Sequence, residues 1–250
     1  LDTPISTYLT DDAADMDRSW QTITLRQLLS HTSGLAPNAK TSSFTMRSKT
    51  DLHSVRHKVL SVEWSSPVSG TVDGYNYSNL VFVLAGYVSE KVTVKVWEEL
   101  IKTEIAEPLG LTSLGFGPVM QKGSPWGHRN YYLFKAPVDP KSDASDNPPW
   151  LGPAGTIHLS LADMAQWGKA HLQACKGLRP DFLSAASCKE MQNPVTNNYG
   201  LGWVIEGESE DRQIWHNGSN SLWYARLSIF PQSDTVIAVA TNVFHGARLD

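Results

Sequence analysis

Cysteine, net charge and long apolar runs are all scarce in this 250-residue chain. A formal net charge of −4 without any block of Lys or Arg argues against nucleic acid as a partner. The most apolar run, Leu80–Val88, is far too short to span a bilayer and predicts a buried helix. Residue 1 is Leu and no charged-then-apolar leader precedes it, which suggests a processed or cut end. No serine is followed three positions later by lysine, and no Gly-x-Ser-x-Gly occurs. Two familiar ways of presenting a serine nucleophile are therefore missing from these residues.

The two cysteines, Cys175 and Cys188, fit either one disulfide or two buried thiols, and a metal site at them is a poor reading. His53 and His57 stand four apart, as on one helix face, but Ser-Val-Arg lies between them, without the general-base Glu of the zinc motif. A solvated helix face is the better reading, and no metal is expected at these residues.

What the chain does have is 41% apolar residues, including nine Trp, eight Tyr and seven Phe, enough for a real core and a lined cleft. Thr24 with Gln27 forms a capping box, and Ile23 with Leu28 a hydrophobic staple, for a short helix running to about Thr32 and stopped by Gly34. Ser78 caps a helix over about Asn79–Lys91, and Thr93 opens another that stops at Pro108-Leu109-Gly110. Residues 117–158, rich in Pro, Gly, Asp and Asn, read as a long ordered loop. Ser160 with Asp163 opens a helix that turns Met164, Trp167 and Leu172 inward. Leu201–Glu206, Gln213–His216, Trp223–Phe230 and Thr235–Ala240 then read as consecutive antiparallel strands. Helices first and a meander last predict an α+β architecture, an antiparallel sheet flanked by helices, with a mainly helical lobe over about 15–195 and a sheet lobe over about 199–242.

Several segments carry a family likeness in order: LDTPI at the start, ITLRQLLSHTSGL from Ile23, YNYSNLVFVLAG from Tyr75 and EPLGL from Glu107. PAGTIHLSLADMAQW from Pro153, YGLGW from Tyr199, His216-Asn217-Gly218 and Thr241-Asn242 complete the series. Together they resemble the class C β-lactamase, D-alanyl-D-alanine carboxypeptidase and esterase superfamily of penicillin-recognising serine hydrolases. The resemblance implies a β-lactamase/transpeptidase-like fold and acyl transfer on an ester, amide or peptide through an acyl-enzyme. It also implies a small-molecule or peptide acyl substrate and an extracytoplasmic location.

By the same resemblance, Tyr77 matches the proton-shuttling tyrosine and Asn79 the amide that orients substrate. His216 stands where relatives have Lys-Thr-Gly or His-x-Gly, Gly218 lets substrate approach, and the Ser219 N–H serves the oxyanion hole. All of these are expected around one cleft. A histidine at 216 is mostly neutral at pH 7, so a permanent positive anchor for a substrate carboxylate is lacking. His31-Thr32-Ser33-Gly34 reads as structural. In relatives the Ser-x-x-Lys precedes the LDTPI-like turn by about two dozen residues, so the chain is expected to begin downstream of its nucleophile, as one incomplete domain. Self-association, or a partner segment that covers the missing helix, follows as an expectation. The alternatives are a non-catalytic binding or regulatory relative and one part of a split enzyme.

Overall fold

Short polar caps punctuate this chain, and each marks where a helix begins. In a computed structural model that describes residues 1–131 and 133–244, the helices are α1 (Arg18–Gln21), α2 (Leu25–Leu29), α3 (Leu52–Trp64), α4 (Asn79–Thr93), α5 (Trp97–Leu100), α6 (Glu107–Leu109), α7 (Gly152–Gly155), α8 (Leu161–Cys175) and α9 (Ala185–Met191). The strands are β1 (Gly115–Phe116), β2 (His128–Tyr131), β3 (Phe134–Pro137), β4 (Ile157–His158), β5 (Val204–Glu206), β6 (Gln213–Ser219), β7 (Tyr224–Phe230) and β8 (Thr235–Thr241). The chain divides into two compact units: residues 1–101, 148–154 and 193–202, and residues 102–147, 155–192 and 203–250.

The first unit is built on α4. Ser78 caps it, its hydroxyl accepting the Val81 N–H. The helix then buries Leu80, Val83, Leu84, Tyr87 and Val88 against Ile5, Leu28, Leu60 and Trp150. Gly86 is needed there, since a Cβ would come within 2.5 Å of Pro153 Cγ. Thr93 does not open the next helix: it closes α4, because Val94 takes the left-handed conformation at φ 58° and ends the run. The next helix starts at Trp97 and continues through a π-helical stretch, Ile101–Ala106, to α6 and its left-handed cap Gly110.

Charge is buried in this unit as well. The Arg56 guanidinium is wholly enclosed and pairs with Glu90 and Glu98, while its Nε donates to the Trp150 carbonyl at 3.2 Å. Glu90 also accepts the Trp97 N–H at 2.9 Å and meets His53 Nδ1 at 2.9 Å. His57 Nε2 lies 3.2 Å from Asp12. His53 and His57, with side chains 38% and 46% exposed, keep the solvated face expected from their spacing and meet Glu90 and Asp12 there, beside Tyr87. The attraction within the buried Arg56–Glu90–Glu98 group is offset by the desolvation of its charges.

In the second unit, β5, β6, β7 and β8 pair antiparallel in sequence order, as the meander expected from the sequence. Ile205, Ile214, Ile229 and Val236 align across the four strands. Side chains two apart share a face, so His216 and Gly218 belong to this same face. Leu172 of α8 packs on it, and Gly168 permits the approach, because a Cβ would meet Val236 Cγ1 at 2.6 Å. On the opposite face the Arg226 guanidinium lies 3.8 Å above the Trp215 ring. The 117–158 segment is not a plain loop. It holds the β2–β3 hairpin and contributes β4 to a pairing with β1. Cys175 and Cys188 form a disulfide that ties α8 to α9.

His171 of α8 is a buried cost in this unit. Trp167, Phe182 and Trp203 surround it with ring centroids at 4.4, 5.6 and 5.1 Å. Neither ring nitrogen has a hydrogen-bond partner among the described residues. Burial lowers its pKa from 6.5 to about 4. The unfolded chain therefore binds more protons between those values, so this contribution to stability is full above pH 6.5 and is lost as pH falls toward 4. The loss amounts to about 3 kcal/mol. Urea unfolding from pH 7 to pH 4 should show His171→Leu losing less stability than the parent by that amount. Parallel losses in parent and variant would clear His171 of the effect.

Candidate active site

α2 opens with the capping box read from the sequence: Thr24 Oγ1 accepts the Gln27 N–H at 3.2 Å, and Gln27 Oε1 accepts the Thr24 N–H at 3.0 Å. It ends at Leu29, earlier than its apolar pattern suggests, because His31 adopts φ 59°. A left-handed, non-glycine residue costs on the order of 1 kcal/mol, and its surroundings must hold it. They do. The His31 carbonyl accepts the Asn76 N–H at 2.8 Å and the Thr32 carbonyl accepts the Asp73 N–H at 2.7 Å. Asn76 Nδ2 donates to the Leu35 carbonyl at 3.0 Å, and the Ser78 hydroxyl donates to the Ala36 carbonyl at 2.6 Å. Segment 31–38 is thus laced to segment 73–79.

The His31 side chain sits inside that lacing, 1% exposed. Its Nδ1 lies 3.1 Å from the Ser78 backbone nitrogen and its Nε2 3.2 Å from the Tyr199 hydroxyl. A backbone N–H can only donate, so Nδ1 carries the lone pair and the ring proton is on Nε2, directed at Tyr199. Tyr77 lies over this ring at 4.2 Å between centroids, with Tyr199 at 4.9 Å and Phe82 at 5.3 Å. His31 is structural, as the sequence suggested, but what it supports is the Tyr77-Ser78-Asn79 turn. Sequence reading did not find that role or that of Tyr199, because both partners are distant along the chain.

Tyr77 itself is 45% exposed. Desolvation, and secondarily the Tyr75 hydroxyl, raise its pKa above the usual 10, so the phenol is protonated at neutral pH. Asn79 is anchored through its N–H to the Pro37 carbonyl at 2.7 Å, and its side-chain amide donates to Asn38 Oδ1 at 2.8 Å. Tyr77 and Asn79 are brought together in the first unit. Tyr199 lies in the same unit, and burial drives its phenol pKa far upward.

The other expected residues share one strand, β6, in the second unit. His216 Nδ1 lies 2.6 Å from the Asn217 carbonyl and so carries the ring proton. Burial desolvates it, which lowers its pKa against the smaller opposing effect of that hydrogen bond. His216 is accordingly neutral at pH 7. Gly218 is exposed, with nothing within 4 Å of where a Cβ would stand. The Ser219 hydroxyl accepts the Ser221 N–H at 3.0 Å in the turn that follows. Among the described residues, no group of three or more His, Cys, Asp or Glu is arranged to hold a metal ion.

Helices with antiparallel sheets, a tyrosine held at a helix start and a His-x-Gly strand define an α+β protein of the β-lactamase/transpeptidase-like fold. A family model described as Beta-lactamase matches residues 1–250, and the chain belongs to that family. An unguisins hydrolase of Aspergillus campestris is 24% identical over 98% of this chain and 47% of its own length. Penicillin-binding protein 4 of Amycolatopsis lactamdurans is 25% identical over 97% of this chain and 65% of its own length. The chain thus spans about half to two thirds of these curated relatives. Among solved structures, a D-stereospecific amidohydrolase from Streptomyces superposes with a TM-score of 0.72 at 24% identity, over 97% of this chain and 74% of that one.

If the His31–Tyr199 contact holds the turn, His31→Ala should destabilise the chain by about 2–4 kcal/mol and Tyr199→Phe by about 1–2 kcal/mol. The double variant should fall short of their sum by about 1 kcal/mol in urea unfolding. Strict additivity would mean that the two side chains act independently.

Proposed function

We propose that this chain carries the Tyr-x-Asn and His-x-Gly elements of a serine hydrolase that transfers acyl groups from an amide, peptide or ester. Its nucleophile would be a Ser-x-x-Lys outside these 250 residues. The observation that carries the reading is Tyr77: a half-exposed phenol fixed by a buried histidine, beside an anchored Asn79, in a chain matched to the family over its whole length. In this reading Tyr77 moves a proton between nucleophile and leaving group, and Asn79 orients substrate. The open backbone at Gly218 admits substrate, the Ser219 N–H supplies one oxyanion donor, and His216 stands on the same strand as both. A phenol of raised pKa needs a neighbouring cation to act as a base at neutral pH, which is the part the family lysine would play.

The neutral His216 points away from substrates held by a carboxylate, and so away from strong β-lactam hydrolysis. Amides are favoured, in keeping with the amidohydrolase named among the structural neighbours. The Cys175–Cys188 disulfide supports an oxidising, extracytoplasmic setting. A second reading, a non-catalytic relative or one part of a split enzyme, is favoured by one observation, the lack of any Ser-x-x-Lys in these residues.

The two readings part in a simple assay. Residues 1–250 alone should neither hydrolyse nitrocefin, short-chain esters or D-amino acid amides nor be acylated by a fluorescent penicillin. Joined to a Ser-x-x-Lys segment encoded upstream, or mixed with one supplied separately, the protein should form a covalent adduct on that serine. Tyr77→Phe should then lower kcat by about 100-fold or more. An adduct found by mass spectrometry on any serine of residues 1–250 defeats the proposal. An upstream sequence with no Ser-x-x-Lys, and no partner bearing one, favours the binding protein.

A further inference from the structure

The β2–β3 hairpin ends in apolar side chains that lie exposed among the described residues. Leu133 is 88% exposed, Phe134 62% and Tyr131 44%. Tyr131 pairs with Phe134 across the strands, and their rings stack with centroids 4.9 Å apart at 25°. A two-stranded ribbon is marginal in water, and apolar rings at its end gain nothing from solvent.

The sequence that carries it is one-sided in charge. From Pro108 to Val138 there is no Asp or Glu, while Lys122, Arg129 and Lys135 all fall in this stretch, in a chain whose net charge is −4. Arg129 and Lys135 are exposed, and neither makes an ion pair among the described residues. Residues paired across strands share a face, so Arg129 lies on the face of Tyr131 and Phe134, and Lys135 with Asn130 on the other. A cation thus stands on each face, one or two residues behind the apolar end, or about 3–7 Å along the ribbon. The same acid-free stretch exposes Met120 and Trp126, at 59% and 45%.

We propose that this hairpin docks the protein onto an anionic phospholipid surface. Tyr131, Leu133 and Phe134 enter the headgroup–acyl boundary, and Arg129 and Lys135 reach lipid phosphates. The spacing fits a layer in which apolar groups bury about 5–10 Å and long cationic side chains extend back to the phosphates. A protein partner fits less well. Three side chains at the end of a ribbon offer far less than the roughly 800 Å² per partner of a stable interface, and a fluid bilayer can close around a projecting tip. The contact is peripheral. The proposal is independent of the catalytic reading above.

Sedimentation with vesicles of phosphatidylcholine, with and without phosphatidylglycerol, tests it. The protein should sediment with the anionic vesicles, at least tenfold more weakly with the neutral ones, and less as salt rises. Leu133→Ser with Phe134→Ser should weaken binding tenfold or more, and Arg129→Glu with Lys135→Glu by a similar factor. Lys58→Glu, an exposed charge change in the other unit, should leave it unchanged. In the unsubstituted protein, anionic vesicles should slow hydrogen exchange at residues 129–135, a readout that needs no variant to fold. No partition into anionic vesicles, partition indifferent to both hairpin pairs, or a dimer that the hairpin substitutions convert to monomer would each overturn the proposal.

Discussion

Ser78 is the residue on which the first unit turns. Its backbone N–H is spent on His31, its hydroxyl donates to the Ala36 carbonyl, and the same oxygen caps α4. One residue therefore fixes where the central helix begins, how segment 31–38 lies against segment 73–79, and which tautomer His31 holds. Tyr77 precedes it by one peptide bond and has no freedom to shift along the chain. The position of the candidate proton-shuttling phenol follows from helix capping. The rest of the core, from Ile5 to Trp150, packs on the helix so placed.

The two histidines nearest the candidate chemistry are neutral for different reasons. His31 is neutral because a backbone donor occupies one nitrogen, so protonating the ring would break that bond. His216 is neutral because burial desolvates it. Neither carries a fixed positive charge. Arg56, the deeply buried cation, is matched to Glu90 and Glu98.

What was legible in the sequence was local. The capping box at Thr24, the caps at Ser78 and Ser160, and the β5–β8 meander each rest on residues a few positions apart, and each is found. What was missed depends on distance or on backbone strain. Thr93 looks like a helix start, yet Val94 in a left-handed conformation turns it into a helix end. The β2–β3 hairpin hid in a segment of loop-like composition because Asn-Gly or Asp-Gly, the usual turn marker, is absent from His128–Pro137. His53 and His57 are solvated as their spacing suggested, but their partners Glu90 and Asp12 lie far away in sequence and were not foreseen. The role of His31 depends on Ser78 and Tyr199, 47 and 168 positions away, beyond any local pattern. The cysteine spacing left bond and thiols equally open, and only the three-dimensional pairing of α8 with α9 decided it.

The first unit is assembled from three stretches, the last of which ends at Gly202. A ribosome emits about 5–20 residues per second, so roughly 5–20 s separate residues 1–101 from the last of the three stretches. During that interval the Tyr199 hydroxyl does not yet exist to receive the His31 proton, and the groove it will fill stands open. The four-stranded sheet has no such delay, since each strand pairs with the one just made. Nascent chains of this protein should therefore expose their helical core longest, and it is there that chaperones have time to act.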